Sequence, residues 1–290
     1  MERTVGDLLS GLPSSEPPPS ELTFTIVGNS LGGLYARAAV FNLFSSPLSV
    51  RGIPVTPALF LTTASPALGC AQATFVPLPS FLEAIPALVL RQTGADLFRR
   101  NSLVHEMCTA GKYLRPLSLF KKRVALANGH GTDFLVLPSS GLSLSSLSET
   151  LHTLRPHDPA IAGGAVTAIY TVPSSPTPEV APSTGSGLDR AADCLASAAC
   201  YDSLGWTKVV VDLRPLMPLS RTLPPPPPMP AKVTGAELLR LVAGSGNGAG
   251  LPNGHNMVVA NSKNALYEKL YRAGRPVVEF VKAVVLEEGV

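Results

Sequence analysis

The pentapeptide Gly28-Asn29-Ser30-Leu31-Gly32 sets a serine between two glycines at G-x-S-x-G spacing. A serine on a tight strand-to-helix turn projects its hydroxyl clear of the backbone, and small neighbours keep that turn free of clashes. The backbone N–H of the next residue, Leu31, then faces the place where an oxyanion would develop. The hydroxyl is a weak nucleophile until a histidine takes its proton and a carboxylate orients that histidine. Around a turn of this kind the acid and then the histidine follow the serine in chain order. Asp133 fits the acid position, since it follows a short apolar run through the loop Asn128-Gly-His-Gly-Thr132; a plain turn aspartate is the competing use. Of the five histidines, His255 comes last, after a Gly-rich loop that leaves it free to approach Ser30. His152 and His157 flank Arg155-Pro156 and read as surface residues, His105 falls in a helical run, and His130 stands too close to Asp133 to fill the later position. The rival use of Gly244–Gly250, a phosphate cradle, fails because the glycines follow a helix instead of opening one.

These side chains need a scaffold. Leu22–Val27 alternates and is rich in β-branched and aromatic residues, which predicts a strand ending at Gly28. From Leu31 onward Leu34, Ala38 and Phe41 recur at helical spacing. Further strands are expected at Ala58–Thr63, Lys122–Ala127 and Thr207–Leu213, each short, apolar and separated by helices or loops; that pattern favours parallel strands buried on both faces. Helices are expected over Phe81–Arg91, Ala95–Cys108 and Asn261–Arg272, and over Gly235–Val242, where Thr234 and Glu237 form a capping box. Pro276–Val285 reads as a last apolar strand or helix. The Pro/Ser/Thr-rich stretch 173–187, the proline run within 221–232 and the Gly-rich 244–254 read as loop insertions or disordered excursions in a single domain over 1–290.

Charged residues make up 15% of the chain, below the roughly 25% of an average soluble domain. The net charge of +3 carries no basic stripe, which argues against nucleic acid as a partner. Lys121-Lys122-Arg123 is the densest basic cluster, and it reads as a solvated strand start. The uncharged stretch Gly52–Leu82 is broken by Pro54, Pro57, Pro66, Pro77 and Pro79, so buried strand and loop explain it better than a membrane span. The apolar stretch Phe75–Leu90 is expected in the core, with a lid over the site as its rival use. Cys70, Cys108, Cys194 and Cys200 form no CxxC and no metal spacing, and are expected as reduced thiols.

Four blocks, in order, resemble the eukaryotic serine esterase family of lipase-like α/β-hydrolases. Phe24–Arg37 resembles its nucleophile elbow, Leu61–Gly69 its T-x-x-S/T-P-H-L-G segment, and Phe120–Asn128 with Asp133 and Ser139-Ser140 its F-K-x-R-V-x-x-A-N…D…S-S block. Leu204–Asp212 and Gly254-His255-Asn256 resemble the closing tryptophan strand and the histidine loop. Asn29 and Ala67 stand where the family commonly has histidine, and neither is a triad position. The resemblance implies Ser30 as nucleophile, Asp133 as acid and His255 as base, acting on carboxylic esters of lipids or other acyl esters without a cofactor or metal.

The expected architecture is therefore an α/β-hydrolase: a mostly parallel sheet with helices on both faces. It is expected to be N-terminally incomplete, since about 23 residues precede the first strand and include no His-Gly loop to supply a second oxyanion donor. An exposed sheet edge covered by a partner follows from that expectation. A cytoplasmic protein with transient membrane contact is the default reading of a chain that opens without a secretory signal. Two rivals stand beside the esterase: a non-catalytic remnant that binds a partner, and an acyltransferase or thioesterase on the same triad.

Overall fold

The computed structural model describes residues 19–70, 91–129, 136, 141–142, 161–177, 190–213, 255, 258–260 and 271–288. In chain order the elements are β1 (Leu22–Asn29), α1 (Gly32–Leu43), β2 (Ser49–Val50), β3 (Ile53–Thr63), α2 (Arg91–Leu97), α3 (Leu103–Thr109) and α4 (Gly111–Ser118). They continue with β4 (Lys122–Asn128), β5 (Val166–Val172), α5 (Arg190–Asp202), β6 (Trp206–Val211) and α6 (Arg275–Glu288), with short 3-10 turns at Ile161–Gly164 and Arg272–Gly274.

The main sheet runs β1-β3-β4-β6-β5. β1, β3, β4 and β6 are mutually parallel, β5 closes one edge antiparallel to β6, and the two-residue β2 pairs antiparallel with the start of β3. The four parallel strands are the four that the sequence predicts. β3 begins earlier than expected, at Ile53, and takes in Pro54 and Pro57; the irregular pairing between Phe24 and Thr25 opposite Pro57 accommodates a residue that cannot donate to the ladder. β5 was not anticipated, although Val166-Thr-Ala-Ile-Tyr-Thr-Val172 carries the β-branched composition of a strand.

The central strands are buried on both faces, and their side chains alternate between two cores. Phe60, Ala125, Ala127 and Val210 point to one core with α1, Leu114, Leu117 and the aromatic residues Phe44, Phe120, Tyr201 and Trp206. Leu59, Leu61, Val124, Leu126, Val209 and Val211 point to the other, where Val277 of α6 and Tyr271 pack. Helices therefore cover both faces, as expected for an α/β sheet. Pro276 sits in the first turn of α6, where its missing N–H removes nothing, so the last apolar stretch resolves as a helix.

Two expectations need correction. The helix foreseen over Ala95–Cys108 is broken between α2 and α3, where Arg99 takes φ 51°. A local side-chain hydrogen bond competes with a continuous helix there: Asn101 Oδ1 accepts from Leu103 N at 3.1 Å, and Ser102 Oγ donates to the Glu106 carboxylate at 2.6 Å. The basic cluster at the start of β4 is not simply solvated: the Arg123 guanidinium is half-buried and donates to the carbonyls of Gly205, Leu117, Ser118 and Phe120.

Of the foreseen irregular segments, residues 173–177 run as coil; 178–187, 221–232 and 244–254 lie outside the described residues, as do the helices foreseen at Phe81–Leu90, Gly235–Val242 and 261–270, and the candidate lid. No helix among the described residues is long and apolar enough to cross a membrane.

Candidate active site

Everything at the site hangs on the turn between β1 and α1. β1 delivers Gly28 and Asn29 at its C-terminal end, and Ser30 bridges to the helix with φ 52°, a left-handed conformation that L residues rarely adopt. The turn is held by neighbours: Ser30 N donates to Thr63 O at 2.9 Å, Thr63 Oγ1 donates to Asn29 Oδ1 at 2.9 Å, and Gly33 N donates to Ser30 O at 3.0 Å. Strain at a single polar side chain, braced from the next strand, is the arrangement of a nucleophile elbow.

The glycines explain the close packing. A Cβ on Gly28 would lie 2.6 Å from the Gly33 Cα, and a Cβ on Gly33 would run into Ser65, 2.6 Å from its Cβ. Gly32, the second glycine of the pentapeptide, faces open space. The steric demand thus falls on Gly28 and Gly33. Leu31 and Gly32 stand at the head of α1, where backbone N–H groups have no intrahelical acceptor and the helix dipole is positive.

The segment after β3 forms the wall beside this turn. Thr62 through Leu68 are all buried; Ala64 takes φ 44° and donates its N–H to Leu126 O at 2.7 Å. Gly69, at φ 83°, lies so close to Leu97 O that a Cβ would sit 2.7 Å away. Ala67, where the family resemblance leads one to look for histidine, is buried, and its carbonyl accepts from Arg37 Nη2 at 2.8 Å. Arg37 also donates to Cys108 Sγ at 3.1 Å and lies 5.0 Å over the Tyr201 ring. This buried guanidinium ties α1 to the wall, α3 and α5, and nothing in the sequence reading gave it that role.

His255 is 225 positions downstream of Ser30, yet its Nε2 lies 2.7 Å from Ser30 Oγ. The ring is buried, with 7% of its surface exposed, while Ser30 keeps partial access. Hydrogen-bond distance between a serine hydroxyl and an imidazole nitrogen is what proton transfer during nucleophilic attack requires. The structure thus brings together the serine and the histidine that the sequence reading pairs. Asp133 and His130 lie outside the described residues, as do His152 and His157. β4 ends at Asn128, paired with Val211 of β6, and Gly129 N donates to Val211 O at 2.8 Å. His105 is a core residue whose Nδ1 lies 3.1 Å from Ser197 Oγ, far along the chain from the elbow.

Asp212 is a carboxylate that the sequence reading passed over. It follows β6 at the same C-terminal sheet edge, is 6% exposed, and its N–H donates to Ala165 O at 2.6 Å. Among the described residues it is the buried acid; the sequence reading takes it into the strand Thr207–Leu213, whereas β6 stops at Val211 and leaves it just beyond the strand end. Cys70, Cys108 and Cys200 are buried free thiols, and no cluster of three potential metal ligands occurs among the described residues.

A mostly parallel sheet carrying a strained serine turn at its C-terminal edge is the α/β-hydrolase arrangement. Residues 16–142, a little under half the chain, match the family described as "Putative serine esterase (DUF676)". The matched stretch contains Ser30, Leu31 and Asp133 and stops short of His255. No curated protein and no solved structure matches the chain.

Proposed function

We propose that this chain is a carboxylic-ester hydrolase with Ser30 as nucleophile, His255 as base and Asp133 as the acid that orients the imidazole. The observation that carries the reading is the 2.7 Å approach of His255 Nε2 to Ser30 Oγ at a residue with φ 52°. Ser30 Oγ attacks the ester carbonyl carbon while its proton passes to His255 Nε2. The negative charge gathers on the carbonyl oxygen, for which Leu31 N–H at the head of α1 is the proposed donor. The tetrahedral intermediate collapses by breaking the bond to the alcohol oxygen, and His255 returns its proton to that leaving group. Water, deprotonated by the same imidazole, then releases the acid and regenerates Ser30. The chemistry at the site uses no metal or organic cofactor. Lipid or other acyl esters are the proposed substrate class: the match to a serine esterase family supports an ester bond as the target, and lipid esters are what the sequence resemblance implies.

The decisive experiment is fluorophosphonate labelling of the purified protein, with Ser30→Ala and His255→Ala in parallel. Labelling of wild type that disappears in both variants is the expected result. A folded wild-type protein that takes no label refutes the reading and leaves the binding-module alternative. Supplying an alcohol or thiol acceptor during turnover separates hydrolysis from acyl transfer.

A further inference from the structure

A cleft of about 950 Å³ opens at the end of the sheet opposite Ser30. Its walls come from the C-terminal end of α1 (Phe44, Ser45), from α4 (Leu114, Arg115), from Arg123 at the start of β4, and from Leu204 just before β6. Each of these positions lies at the edge where the parallel strands begin, whereas Ser30 lies where β1 ends. The cleft is therefore not the acyl site, and its volume is in the range of small-molecule sites, about 300–1,000 Å³.

Its chemistry is one-sided. Lys112, Arg115 and Arg123 line it together with several serine and threonine hydroxyls, and no Asp or Glu is among the described lining residues. Lys112 is already paired, 3.0 Å from Glu106. The two arginines are not balanced in this way. Arg115 is exposed, and its guanidinium has no hydrogen-bond or ion-pair partner among the described residues. Arg123 is half-buried; its Nε and Nη1 donate to backbone carbonyls, and among the described residues no carboxylate faces its charge. Burial pushes its guanidinium below the usual range, which is the sign of a cation held without a counter-charge, although nearby Tyr201 opposes the shift. Between these polar groups Phe41, Phe44, Leu114, Pro116 and Leu204 give an apolar floor.

We infer that this cleft is a second ligand site, for a single-chain amphiphile whose anionic head meets Arg115 and Arg123 and whose apolar chain lies on the Phe41–Phe44–Leu114 floor. A carboxylate or a phosphate monoester supplies the head; both offer oxygens that a guanidinium binds with two parallel hydrogen bonds. The site is independent of the reaction proposed at Ser30 and stands or falls without it.

Isothermal titration of the full chain with decanoate, decyl phosphate and decanol tests this. Both anions are expected to bind, and decanol more weakly. Arg115→Glu should weaken the anions by about tenfold, since it removes one attraction and adds a repulsion of similar size. Ser45→Trp, an exposed rim position, should block all three by filling the cleft. Neither residue supports the core, and circular dichroism confirms that both variants are folded. The tighter of the two anions identifies the source, fatty carboxylate or lipid phosphate. Decanol binding as tightly as the anions, anion binding unchanged in both variants, or no binding to the wild type each overturns the inference.

Discussion

Ser30 and His255 meet because a strained backbone and a distant loop converge, and each contributes something a flexible pair would lack. The φ of 52° at Ser30 costs on the order of 1–3 kcal/mol, held down by the hydrogen bonds from and to Thr63 and Gly33. The return is a hydroxyl fixed 2.7 Å from imidazole before substrate arrives. At this scale the acid is the residue to test, because Asp212 follows β6 at the C-terminal edge of the sheet while the proposed acid, Asp133, follows β4 in chain order. Asp133→Asn is expected to lower kcat by up to about 10⁴-fold, since the imidazole then loses the partner that fixes its tautomer. Asp212→Asn is expected to lower it far less and to act mainly on stability, as Asp212 is buried beside the β5–β6 pairing. Steady-state kinetics on one soluble ester decide between them; the reverse ranking would move the acid to Asp212. Ser30 and His255 were legible because the G-x-S-x-G spacing and the order of histidines along the chain are written in residue types. Arg37 was not, because its value comes from contacts with Ala67, Cys108 and Tyr201 that are 30 or more positions away.

The elements act through close approach. β1 and α1 can meet at the elbow only because Gly28 and Gly33 carry no side chain, and Gly33 rests on Ser65 of the wall segment. The pentapeptide would suggest that Gly32 matters as much, but nothing lies within 4 Å of where its Cβ would be. Gly33→Ala is therefore expected to destabilise by about 3 kcal/mol or more and to abolish labelling of Ser30, because the wall must shift to admit a methyl group. Gly32→Ala is expected to be neutral or stabilising by up to about 1 kcal/mol, since alanine favours the first turn of a helix. Urea denaturation midpoints check both; equal losses would mean that the motif glycines share one role. The strands were readable at this scale because parallel strands buried on both faces form short apolar runs, and Ala58–Thr63, Lys122–Ala127 and Thr207–Leu213 each sit in one. The break between α2 and α3 was not, because the helical spacing of Ala95–Cys108 continues through Asn101, whose side chain takes up the Leu103 N–H instead.

Across the whole molecule, the sheet divides two cores, and buried ionisable groups lie at the join between α5 and β6. Lys208 is 1% exposed on β6, with Nζ 2.7 Å from both oxygens of Asp202 at the end of α5. Tyr201, one residue earlier, is 2% exposed, stacks beside Trp206 at 4.6 Å, and faces Arg37. None of this was visible in the sequence, where Lys208 reads as the polar member of an apolar strand. Burial lowers the Lys208 amine below its ordinary value, with Asp202 opposing, and raises the Tyr201 phenol well above its own, with Arg37 opposing. The signs then separate. Below the ordinary lysine value of about 10.4 the unfolded chain holds more protons at Lys208 than the folded one, so that contribution to stability grows as pH rises toward it. Above the ordinary tyrosine value of about 10 the unfolded chain loses a phenolic proton that the folded one keeps, so that contribution is lost as pH climbs further. Wild-type stability, followed by urea midpoints from about pH 8 to 11, should therefore respond to the two residues in opposite directions. Lys208→Met should remove part of the rise on the lower side of the window, and Tyr201→Phe should remove part of the fall on the upper side. The Met variant leaves Asp202 without its cation, so its overall stability is expected to drop by about 3 kcal/mol as well. Identical pH slopes in wild type and both variants would show that neither burial is maintained in solution, and that α5 does not pack on β6 as the structure has it.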